Sequence, residues 1–566
     1  MPAGAVTPRG GVLCFAARAP GPPAGALHME SFAADLATLV RTPLEPDHVR
    51  ALERHGTRVE VPAGATVQEP GAPMDRFLYI LAGELEAVDP ATGSRYGGAT
   101  LGPTQFFGEL GFLQGGKALL GARAVTDTTM LSVPRATMLR LMSEMPEMSD
   151  IVVTVLAARR RRIVESKEGG LILVGLETSR NLRAIATFAA RNRLPVRELD
   201  LGSDEARALA RDCAMPEDAA LVILGRGVAM RDPTPQALAE ALGLDLPIAD
   251  AGRFDVLIVG AGPAGTAAAV YAGAEGLSAL VIEEIAIGGQ AGTSSRIENY
   301  MGFPTGIAGA DLVARGEVQA MKFGTRFAMP RRVVSLADLP DGAFRATLDN
   351  GRSVEARAVV VATGVQYRRM ALERLEHFEG AGVYYAATEI EARFCRDRDV
   401  AVIGGGNSAG QAAMHLARSA RHVHVLVRGG TLAASMSDYL LSRLRAHPRI
   451  TIHLRTEVTA LHGAESLTAI TVHDRNAGQD WRLATGGLFV MAGAAPNTAW
   501  LRDCVALDDK GFVLTGAEAG ASQPYATSHP GIFAAGDVRA GSVKRVASAV
   551  GEGSVAISAV WSHVHG

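Results

Sequence analysis

Two glycine-rich turns carry the clearest chemical signal in this sequence of 566 residues. The first turn, Gly260-Ala-Gly-Pro-Ala-Gly265, follows an apolar run at Asp255–Val259 and opens an alanine-rich stretch. Between a strand and a helix, the first glycine makes the turn, the second admits a pyrophosphate, and the third packs the helix on the strand. Glu283 ends the next apolar strand, where a carboxylate can bind a ribose diol. Together these features predict a dinucleotide site.

A second copy of the pattern begins at Gly404. An apolar run, Asp399–Ile403, leads into Gly404-Gly-Gly-Asn-Ser-Ala-Gly410, and the next apolar run is His422–Val427. This run ends at Arg428 instead of an acid, and a guanidinium favours the 2′-phosphate of NADPH. The sequence therefore predicts NADPH, with NADH as the alternative because only one arginine is present. Two dinucleotide sites in one chain imply electron transfer between two nucleotides.

The composition narrows the classes of partner. A net charge of −3 gives no general attraction to nucleic acid or to an anionic membrane. No run approaches about 18 apolar residues, the length of a membrane-spanning helix, so we expect neither kind of partner. The four cysteines contain no CxxC, which excludes a local redox dithiol and a paired-cysteine metal site; they are Cys14, Cys213, Cys395 and Cys504. So few thiols indicate a reducing, cytoplasmic compartment.

The pattern of elements predicts a multidomain α/β protein. Residues 1–30 contain several prolines and glycines and no acid before Glu30, and we predict a disordered tail there. Residues 59–140 have short apolar runs separated by glycine-bearing turns, which predicts a β-roll. Strands and helices then alternate in a compact α/β unit up to Leu244, with a linker at 245–253. From Phe254 onward, longer β-α-β units predict two nested Rossmann-like domains.

Residues 31–165 resemble a cyclic-nucleotide-binding domain. Gly83-Glu-Leu85 and Phe107-Gly-Glu-Leu110 lie where that family has its β-roll glycines and its phosphate cassette. In the family, an arginine about eight to ten residues after the cassette glutamate pairs with the cyclic phosphate, but this chain has Ala118-Leu-Leu120 there. A buried phosphate needs a charge-assisted partner. We therefore expect that this domain no longer binds cyclic nucleotides and serves in docking or oligomerisation.

Residues 168–247 resemble a thioredoxin or glutaredoxin fold in the order of their strands and helices. The redox site of that fold follows the first strand, where this chain reads Gly175-Leu-Glu-Thr-Ser-Arg180 without a cysteine. The proline before the third strand is also missing, because Asp218-Ala-Ala220 stands there. Cys213 is isolated, and we predict that it belongs to the core. A scaffolding or docking role is expected.

Three further markers complete a larger resemblance. They are Val359-Val-Val-Ala-Thr-Gly364, Gly493-Ala-Ala-Pro-Asn497 and Gly531-Ile-Phe-Ala-Ala-Gly-Asp537. With the two turns, they resemble the low-molecular-weight thioredoxin reductases over nearly all of residues 253–562. The resemblance implies a homodimer, with FAD at the first turn and NADPH at the second. It implies an FAD-binding domain at 253–370 and 486–566, and an NAD(P)H-binding domain at 371–485.

The same resemblance implies a set of binding residues. For FAD these are Gly260, Gly262, Pro263, Ala264, Gly265, Glu283, Gly289, Gln290, Asn299, Ala362, Thr363, Gly364, Gly536 and Asp537, with Arg545, Val546 and Ala547 at the edge of the flavin ring. For the nicotinamide nucleotide they are Gly404, Gly406, Asn407, Ser408, Ala409 and Arg428. No metal ligands are predicted.

The chain departs from that family at the redox centre. Thioredoxin reductases carry Cys-Ala-Thr-Cys shortly before the second turn, whereas the matching stretch here is Tyr385-Ala-Ala-Thr-Glu-Ile390. Cys395 lies further on, and one thiol cannot form the intramolecular disulfide that passes electrons to thioredoxin. Glu389 stands at the lost-cysteine position and could relay a proton to reduced flavin; the alternative is a plain surface carboxylate. No other catalytic residue is predicted, because hydride transfer depends on positioning of the two rings.

Three functions follow from this combination. The first is an FAD-dependent NAD(P)H oxidoreductase of the diaphorase type, which passes electrons from reduced FAD directly to an acceptor. The candidate acceptors are a quinone, a small oxidant, dioxygen or a redox protein. The second is a flavin-bound redox or nucleotide sensor without significant turnover. The third is a disulfide reductase that uses cysteines supplied by a partner.

Overall fold

A computed structural model describes most of the chain. The described residues are 42–89, 93–96, 100–118, 120–166, 171–176, 179–225, 228–242, 244, 252–294, 296–367, 369–432, 436–501 and 503–566. The predicted tail at 1–30 and most of the predicted linker, 245–251, lie outside these ranges. None of the described helices combines the length and the apolar character that crossing a lipid bilayer requires.

The N-terminal unit (residues 42–166) is a β-roll followed by two helices. Its sheets have the strand orders β1-β7-β3-β5 and β2-β6-β4, and Ile80, Leu85 and Ala122 pack between them. Phe77, Phe106 and Phe112 belong to a second core, which the first sheet shares with the two helices. The elements are α1 Pro46–His55, β1 Thr57–Val61, β2 Thr66–Gln68, β3 Arg76–Ala82, β4 Leu85–Val88, β5 Phe106–Phe107, a 3-10 helix Leu110–Gln114, β6 Gly121–Ala124, β7 Thr128–Pro134, α2 Arg135–Glu144 and α3 Pro146–Ser166.

The thioredoxin-like unit (residues 171–244) has a four-stranded sheet with the order β11-β10-β8-β9. Strands β8 and β9 are parallel and the other pairs are antiparallel. Ser179, Ser203 and Thr234 cap the three helices, because each side chain accepts the free amide three residues on. The elements are β8 Leu171–Val174, α4 Arg180–Arg191, β9 Val196–Leu199, α5 Asp204–Asp212, β10 Leu221–Gly225, β11 Val228–Arg231 and α6 Pro235–Ala241.

The first dinucleotide-binding unit surrounds a seven-stranded sheet. Its parallel part has the order β14-β13-β12-β17, with β28 (Ile532–Ala534) also paired to β17, and the antiparallel strands β16 and β15 extend the other edge. The elements are β12 Arg253–Val259, α7 Pro263–Ala274, β13 Ala279–Ile282, a 3-10 helix Ala291–Thr293, α8 Gly309–Lys322, β14 Arg326–Ala328, β15 Val333–Asp338, β16 Phe344–Leu348 and β17 Ser353–Val361.

The second dinucleotide-binding unit has a parallel sheet with the order β19-β26-β20-β21-β22 and a separate meander, β23-β24-β25. Strand β18, before this unit, pairs with β27 after it. The elements are β18 Val365–Tyr367, α9 Leu375–Phe378, β19 Val383–Tyr384, α10 Glu389–Phe394, β20 Asp399–Ile403, α11 Asn407–Leu416, β21 His422–Val427, α12 Asp438–Ala446, β22 Ile450–Leu454, β23 Thr456–Gly463, β24 Leu467–Asp474, β25 Gln479–Ala484, β26 Gly487–Val490 and β27 Ala494–Pro496.

The predicted domain boundary at residue 485 has to move by one strand. Strand β26 lies in the sequence assigned to the FAD-binding domain, yet it pairs with β20 and β19 in the second unit. All four of its residues are buried, so the strand is apolar throughout and its sequence does not indicate which sheet it joins. The chain then returns to the first unit through the 3-10 helices Ala499–Leu501 and Gly516–Ala519, β28 Ile532–Ala534 and α13 Val546–His565.

Candidate functional site

The first glycine-rich turn has the geometry that its sequence predicts. Gly260 has φ +102°, and a Cβ atom there would lie 2.4 Å from the carbonyl oxygen of Ala362. A Cβ at Gly265 would lie 1.9 Å from the carbonyl oxygen of Gly260, so helix α7 packs directly on the turn. In front of Gly262, by contrast, no atom of the described residues lies within 4 Å of the Cβ position. A dinucleotide fits this open space in front of Gly262 at the N-terminus of α7, which we call the flavin cradle.

Glu283 ties the end of β13 to this turn. Its carboxylate accepts the amide of Ala261 at 2.8 Å, and the amides of Ile285 and Ala286 at 3.0 and 3.3 Å. Gly289, in the loop that follows, lies against the turn, because its Cβ position is 3.1 Å from the Cα of Gly262. The predicted ribose acid and the predicted loop glycine thus border the same cradle.

Two of the distant sequence markers meet at the rim of the cradle. The Thr363 hydroxyl donates to the carbonyl oxygen of Asn497, and the Asn497 side chain donates to the carbonyl oxygen of Thr363, both at 2.9 Å. Gln290 donates from Nε2 to the carbonyl oxygen of Val365 at 2.8 Å. These contacts hold together the two chain segments that connect the dinucleotide-binding units.

The loop that carries Gly536 and Asp537 is held by residues that the sequence analysis did not select. The buried carboxylate of Glu552 accepts the amide of Gly536 at 2.6 Å and pairs with Arg539. Burial raises the pKa of Asp537 above its usual range. A detectable signal was present: Glu552 is the one acid in the C-terminal helix, among many small and apolar residues, and a buried acid needs a partner.

The second turn repeats the geometry of the first. A Cβ at Gly404 would lie 2.6 Å from the carbonyl oxygen of Met491, and α11 begins directly afterwards at Asn407. The Asn407 side chain accepts the amide of Ser437 at 2.8 Å. Arg428 follows β21 at the same edge of the sheet and is exposed, as a contact to a 2′-phosphate requires.

The first turn and the start of α11, at the end of the second turn, open into one cavity of about 1440 Å³. Of the predicted FAD residues, all except Gly265 and Ala547 line it. Of the predicted nicotinamide-nucleotide residues, Asn407 and Ser408 line it, whereas Gly404, Gly406, Ala409 and Arg428 do not. The arrangement brings the start of α11 and the flavin cradle to one space, in which two nucleotides can meet without an intervening carrier.

Comparison with known proteins assigns the family. The family model described as pyridine nucleotide-disulphide oxidoreductase matches residues 254–553, which is more than half of the chain. The chain belongs to this family. A second family model, for the cyclic nucleotide-binding domain, matches residues 58–145. Membership of the oxidoreductase family implies the use of FAD and a pyridine nucleotide, and both turns fit that chemistry.

Individual relatives agree with this assignment. A thioredoxin reductase of Streptomyces clavuligerus is 36% identical over 300 residues, which are 53% of this chain and 90% of the relative. One subunit of an alkyl hydroperoxide reductase from Pseudomonas putida is 35% identical over 316 residues, 55% of this chain and 58% of the relative. Among solved structures, T. acidophilum thioredoxin reductase matches with a TM-score of 0.51 and 28% identity, over 55% of this chain and 98% of that chain.

This family member has no thiol pair in the stretch 385–390, which matches the Cys-Ala-Thr-Cys motif of thioredoxin reductases. Ala386 and Ala387 line the cavity there, beside the buried carboxylate of Glu391, which accepts the Thr388 amide at 2.9 Å. The side chain of Glu389 lies outside the described residues, so its predicted proton relay stays a prediction. The nearest described thiol, Cys395, is fully buried in the core of the second unit, and burial raises its pKa to about 12.

Residues of the cassette in the cyclic-nucleotide-binding domain make contacts with other residues of the same domain. Glu109 accepts the amide of Leu120 at 3.0 Å, and Ala118, at the position of the lost arginine, is buried. Arg159 of α3 donates to the carbonyl oxygen of Phe106 at 2.7 Å and lies over the ring of Phe106. The described residues thus supply hydrophobic packing at the position from which the family's arginine would bind a phosphate.

The thioredoxin-like unit also borders the shared cavity, which the sequence analysis did not predict. One face of α4 lines it with Arg183, Ala184, Thr187 and Arg191. Spacings of three, four and eight residues place side chains on one side of a helix, so periodicity could have defined the face. It could not have shown which neighbour that face contacts.

Proposed function

We propose that this protein is an NADPH-dependent flavoprotein oxidoreductase that delivers electrons directly from its flavin to an acceptor other than thioredoxin. The observation that carries the proposal is the cavity shared by the first glycine-rich turn and the start of α11, in which no cysteine is found among the described lining residues. The proposed acceptor is a quinone, a small oxidant or a redox protein.

The chain's residues provide binding and alignment. FAD, when bound, supplies the chemistry of taking up a hydride and releasing electrons. The open space at Gly262 would receive the diphosphate of FAD, and Glu283 would hold its ribose. The carboxylate of Asp537 would accept hydrogen bonds from hydroxyl groups of the ribityl chain. The N-terminus of α11, with Asn407 and Ser408 on the cavity wall, would direct the nicotinamide nucleotide towards the same space.

Replacement of the dithiol supports direct transfer. Electron flow to thioredoxin needs two thiols that alternate between dithiol and disulfide, whereas Ala386 and Ala387 line the cavity at that position. Cys395 is buried, and its raised pKa disfavours the thiolate that disulfide exchange requires. An acceptor that meets the flavin itself needs neither thiol.

Anaerobic rapid mixing tests the proposal. The purified protein with bound flavin is mixed with NADPH and, separately, with NADH, while the visible flavin absorbance is followed. We expect NADPH to bleach the flavin rapidly and NADH to do so more slowly. A flavin that neither nucleotide bleaches would refute the oxidoreductase function.

A second mixing step tests the acceptor. The reduced protein is mixed with a benzoquinone, with ferricyanide or with oxidised thioredoxin, and reoxidation of the flavin is measured. We expect the benzoquinone or ferricyanide to reoxidise the flavin. Oxidised thioredoxin should not reoxidise it faster than the buffer control. Rapid bleaching followed by no reoxidation with any acceptor would favour a flavin-bound sensor. Reoxidation by thioredoxin alone would contradict direct transfer.

A further inference from the structure

Helix α4 of the thioredoxin-like unit is held against the loop that borders the flavin cradle. Asn192, at its C-terminal end, donates from Nδ2 to the carbonyl oxygen of Ile285 at 3.1 Å. Arg193 pairs with Asp311 of α8 at 3.4 Å. From the N-terminal unit, Arg160 donates to the carbonyl oxygen of Asn192 at 3.1 Å. These contacts fix the position of the helix end relative to the first glycine-rich turn.

A second contact holds the same unit to the other side of the cavity. Glu198 of β9 forms a bidentate ion pair with Arg393 of α10, and the distance between Oε1 and Nη1 is 2.9 Å. The thioredoxin-like unit is therefore bound to both dinucleotide-binding units. Its helix α4 forms a fixed wall of the cavity between them.

The cationic side chain of Arg191 extends from helix α4 to the flavin cradle. Its guanidinium donates from Nη2 to the carbonyl oxygen of Gly289 at 3.4 Å, a long hydrogen bond. Gly289 in turn lies against Gly262, the glycine whose outward side is open. A guanidinium has five N–H groups, and this is the one hydrogen bond that the Arg191 side chain makes among the described residues. Most of its donor capacity is available to a ligand in the cavity.

The charges around Arg191 do not remove the need for an anion. Burial lowers its pKa, and the carboxylates of Glu283 and Glu391 act in the opposite direction. Both carboxylates already accept hydrogen bonds from backbone amides, Glu283 from three and Glu391 from Thr388. A diphosphate at the N-terminus of α7 would carry two negative charges close to Gly262, where a guanidinium can bind two oxygens at once.

We propose that Arg191 binds the diphosphate of FAD, so that the thioredoxin-like unit, having no redox cysteines, completes the flavin site of a neighbouring domain. The proposal rests on the assignment of FAD to the first turn and is independent of which acceptor or pyridine nucleotide the enzyme uses. It gives this unit a role in cofactor retention.

Ligand binding to the full-length apoprotein tests this role without any turnover. Flavin is removed, and the affinities for FAD and riboflavin are measured by fluorescence, with ADP measured as a competitor of FAD. Arg191→Ala should weaken FAD and ADP about 10- to 100-fold, the range for a lost charge-assisted hydrogen bond. Riboflavin, which has no phosphate, should bind as it does to the unaltered protein. Arg191→Lys should recover part of the loss.

Arg193→Ala is the matched control. It removes the same charge two residues away, together with a contact between domains, but its side chain does not line the large cavity. Because the contacts of Asn192 with Ile285 and of Arg160 with Asn192 still hold the helix end, we expect this variant to keep its affinity for FAD and ADP. Unchanged affinities in Arg191→Ala, or an equal loss of riboflavin binding, would overturn the proposal. If Arg191→Ala does not fold, Arg191→Gln, which keeps the shape of the side chain, provides the same comparison. These affinities are measured without NADPH. The test of Arg191 therefore gives a result even if NADPH does not reduce the flavin.

Discussion

Arg539 and Glu552 form a buried ion pair directly below the loop that carries Asp537. Nη2 and Nε of Arg539 lie 2.9 and 3.0 Å from the two carboxylate oxygens, and the side chains are 14% and 9% exposed. The same carboxylate accepts the amide of Gly536, and the remaining Arg539 nitrogen donates to Thr515 at 2.8 Å. This pair joins α13 to the loop that faces the flavin cradle.

Replacement of Glu552 should therefore lower both stability and flavin affinity. Glu552→Gln leaves Arg539 buried without a counter-charge, which costs about 3–5 kcal/mol in comparable cases. We expect a lower urea midpoint of the apoprotein and weaker FAD binding. Glu355→Gln, which alters an exposed ion pair with Arg253 and Arg345, should change neither measurement. A Glu552→Gln protein that unfolds at the unaltered urea concentration would contradict this role.

Cys395 should be chemically silent in the native protein. Its thiol is fully buried and its pKa is raised to about 12, so almost no thiolate forms near neutral pH. Iodoacetamide should leave Cys395 unmodified before and after reduction by NADPH, as measured by mass spectrometry of the peptide. Unfolding in urea should expose it. In the Cys395→Ala variant, NADPH should reduce the flavin as fast as it does in the unaltered protein. A loss of turnover would show that this thiol carries electrons.

The affinity for FAD should depend on pH through Asp537. Burial raises the pKa of this carboxyl, so its protonated form persists above the usual aspartate range near 4. The ionised form is the better acceptor for ribityl hydroxyl groups. FAD binding to the apoprotein should therefore weaken as pH falls through the raised pKa. Asp537→Asn should bind FAD more weakly, with a flat profile across the pH interval in which binding to the unaltered protein changes; a retained slope would assign the effect to another group.

The second dinucleotide-binding unit should lose stability in acid because of His424. Its Nδ1 lies 3.1 Å from Nε2 of His453, and burial, helped by the charges of His453 and His422, lowers its pKa to about 4. The unfolded chain takes up a proton below about pH 6.5, while the folded protein resists protonation until about pH 4. Stability should therefore fall by about 1–2 kcal/mol across this interval, after allowance for partial exposure.

Two variants check this assignment. His424→Gln should show a smaller difference in urea midpoint between pH 7 and pH 5 than the unaltered protein. His447→Gln, which replaces a histidine outside this cluster, should retain the full difference. Equal acid sensitivity of the His424→Gln and unaltered proteins would exclude His424 as the source.

Arg428 should determine the preference for NADPH. It lies exposed at the end of β21, where the 2′-phosphate of a bound nucleotide is expected. Arg428→Ala should raise the KM for NADPH about tenfold and leave the KM for NADH nearly unchanged. Steady-state kinetics with both nucleotides gives the ratio. Parallel changes for the two nucleotides would instead indicate a general effect on the nucleotide site.

The amino-acid sequence by itself determined the two glycine-rich turns. A Cβ at Gly265 would meet the carbonyl oxygen of Gly260 within the turn itself, so this requirement can be read from consecutive residues. The carbonyl oxygens that exclude a Cβ at Gly260 and Gly404 belong to the distant residues Ala362 and Met491, so for these two glycines the sequence supplies the motif and the fold supplies the neighbour. The absence of a cysteine pair beside the second turn was equally visible without coordinates.

The tertiary structure alone decided which distant residues complete the site. Arg191 is 98 positions from Gly289, and Glu552 is 16 positions from Gly536. Strand β26 also required its neighbours, because an apolar strand can be buried in either sheet. Periodicity defines which face of an element is apolar or charged, but the choice of contact partner depends on how whole domains pack. That is why the wall formed by α4 could be recognised only in the folded chain.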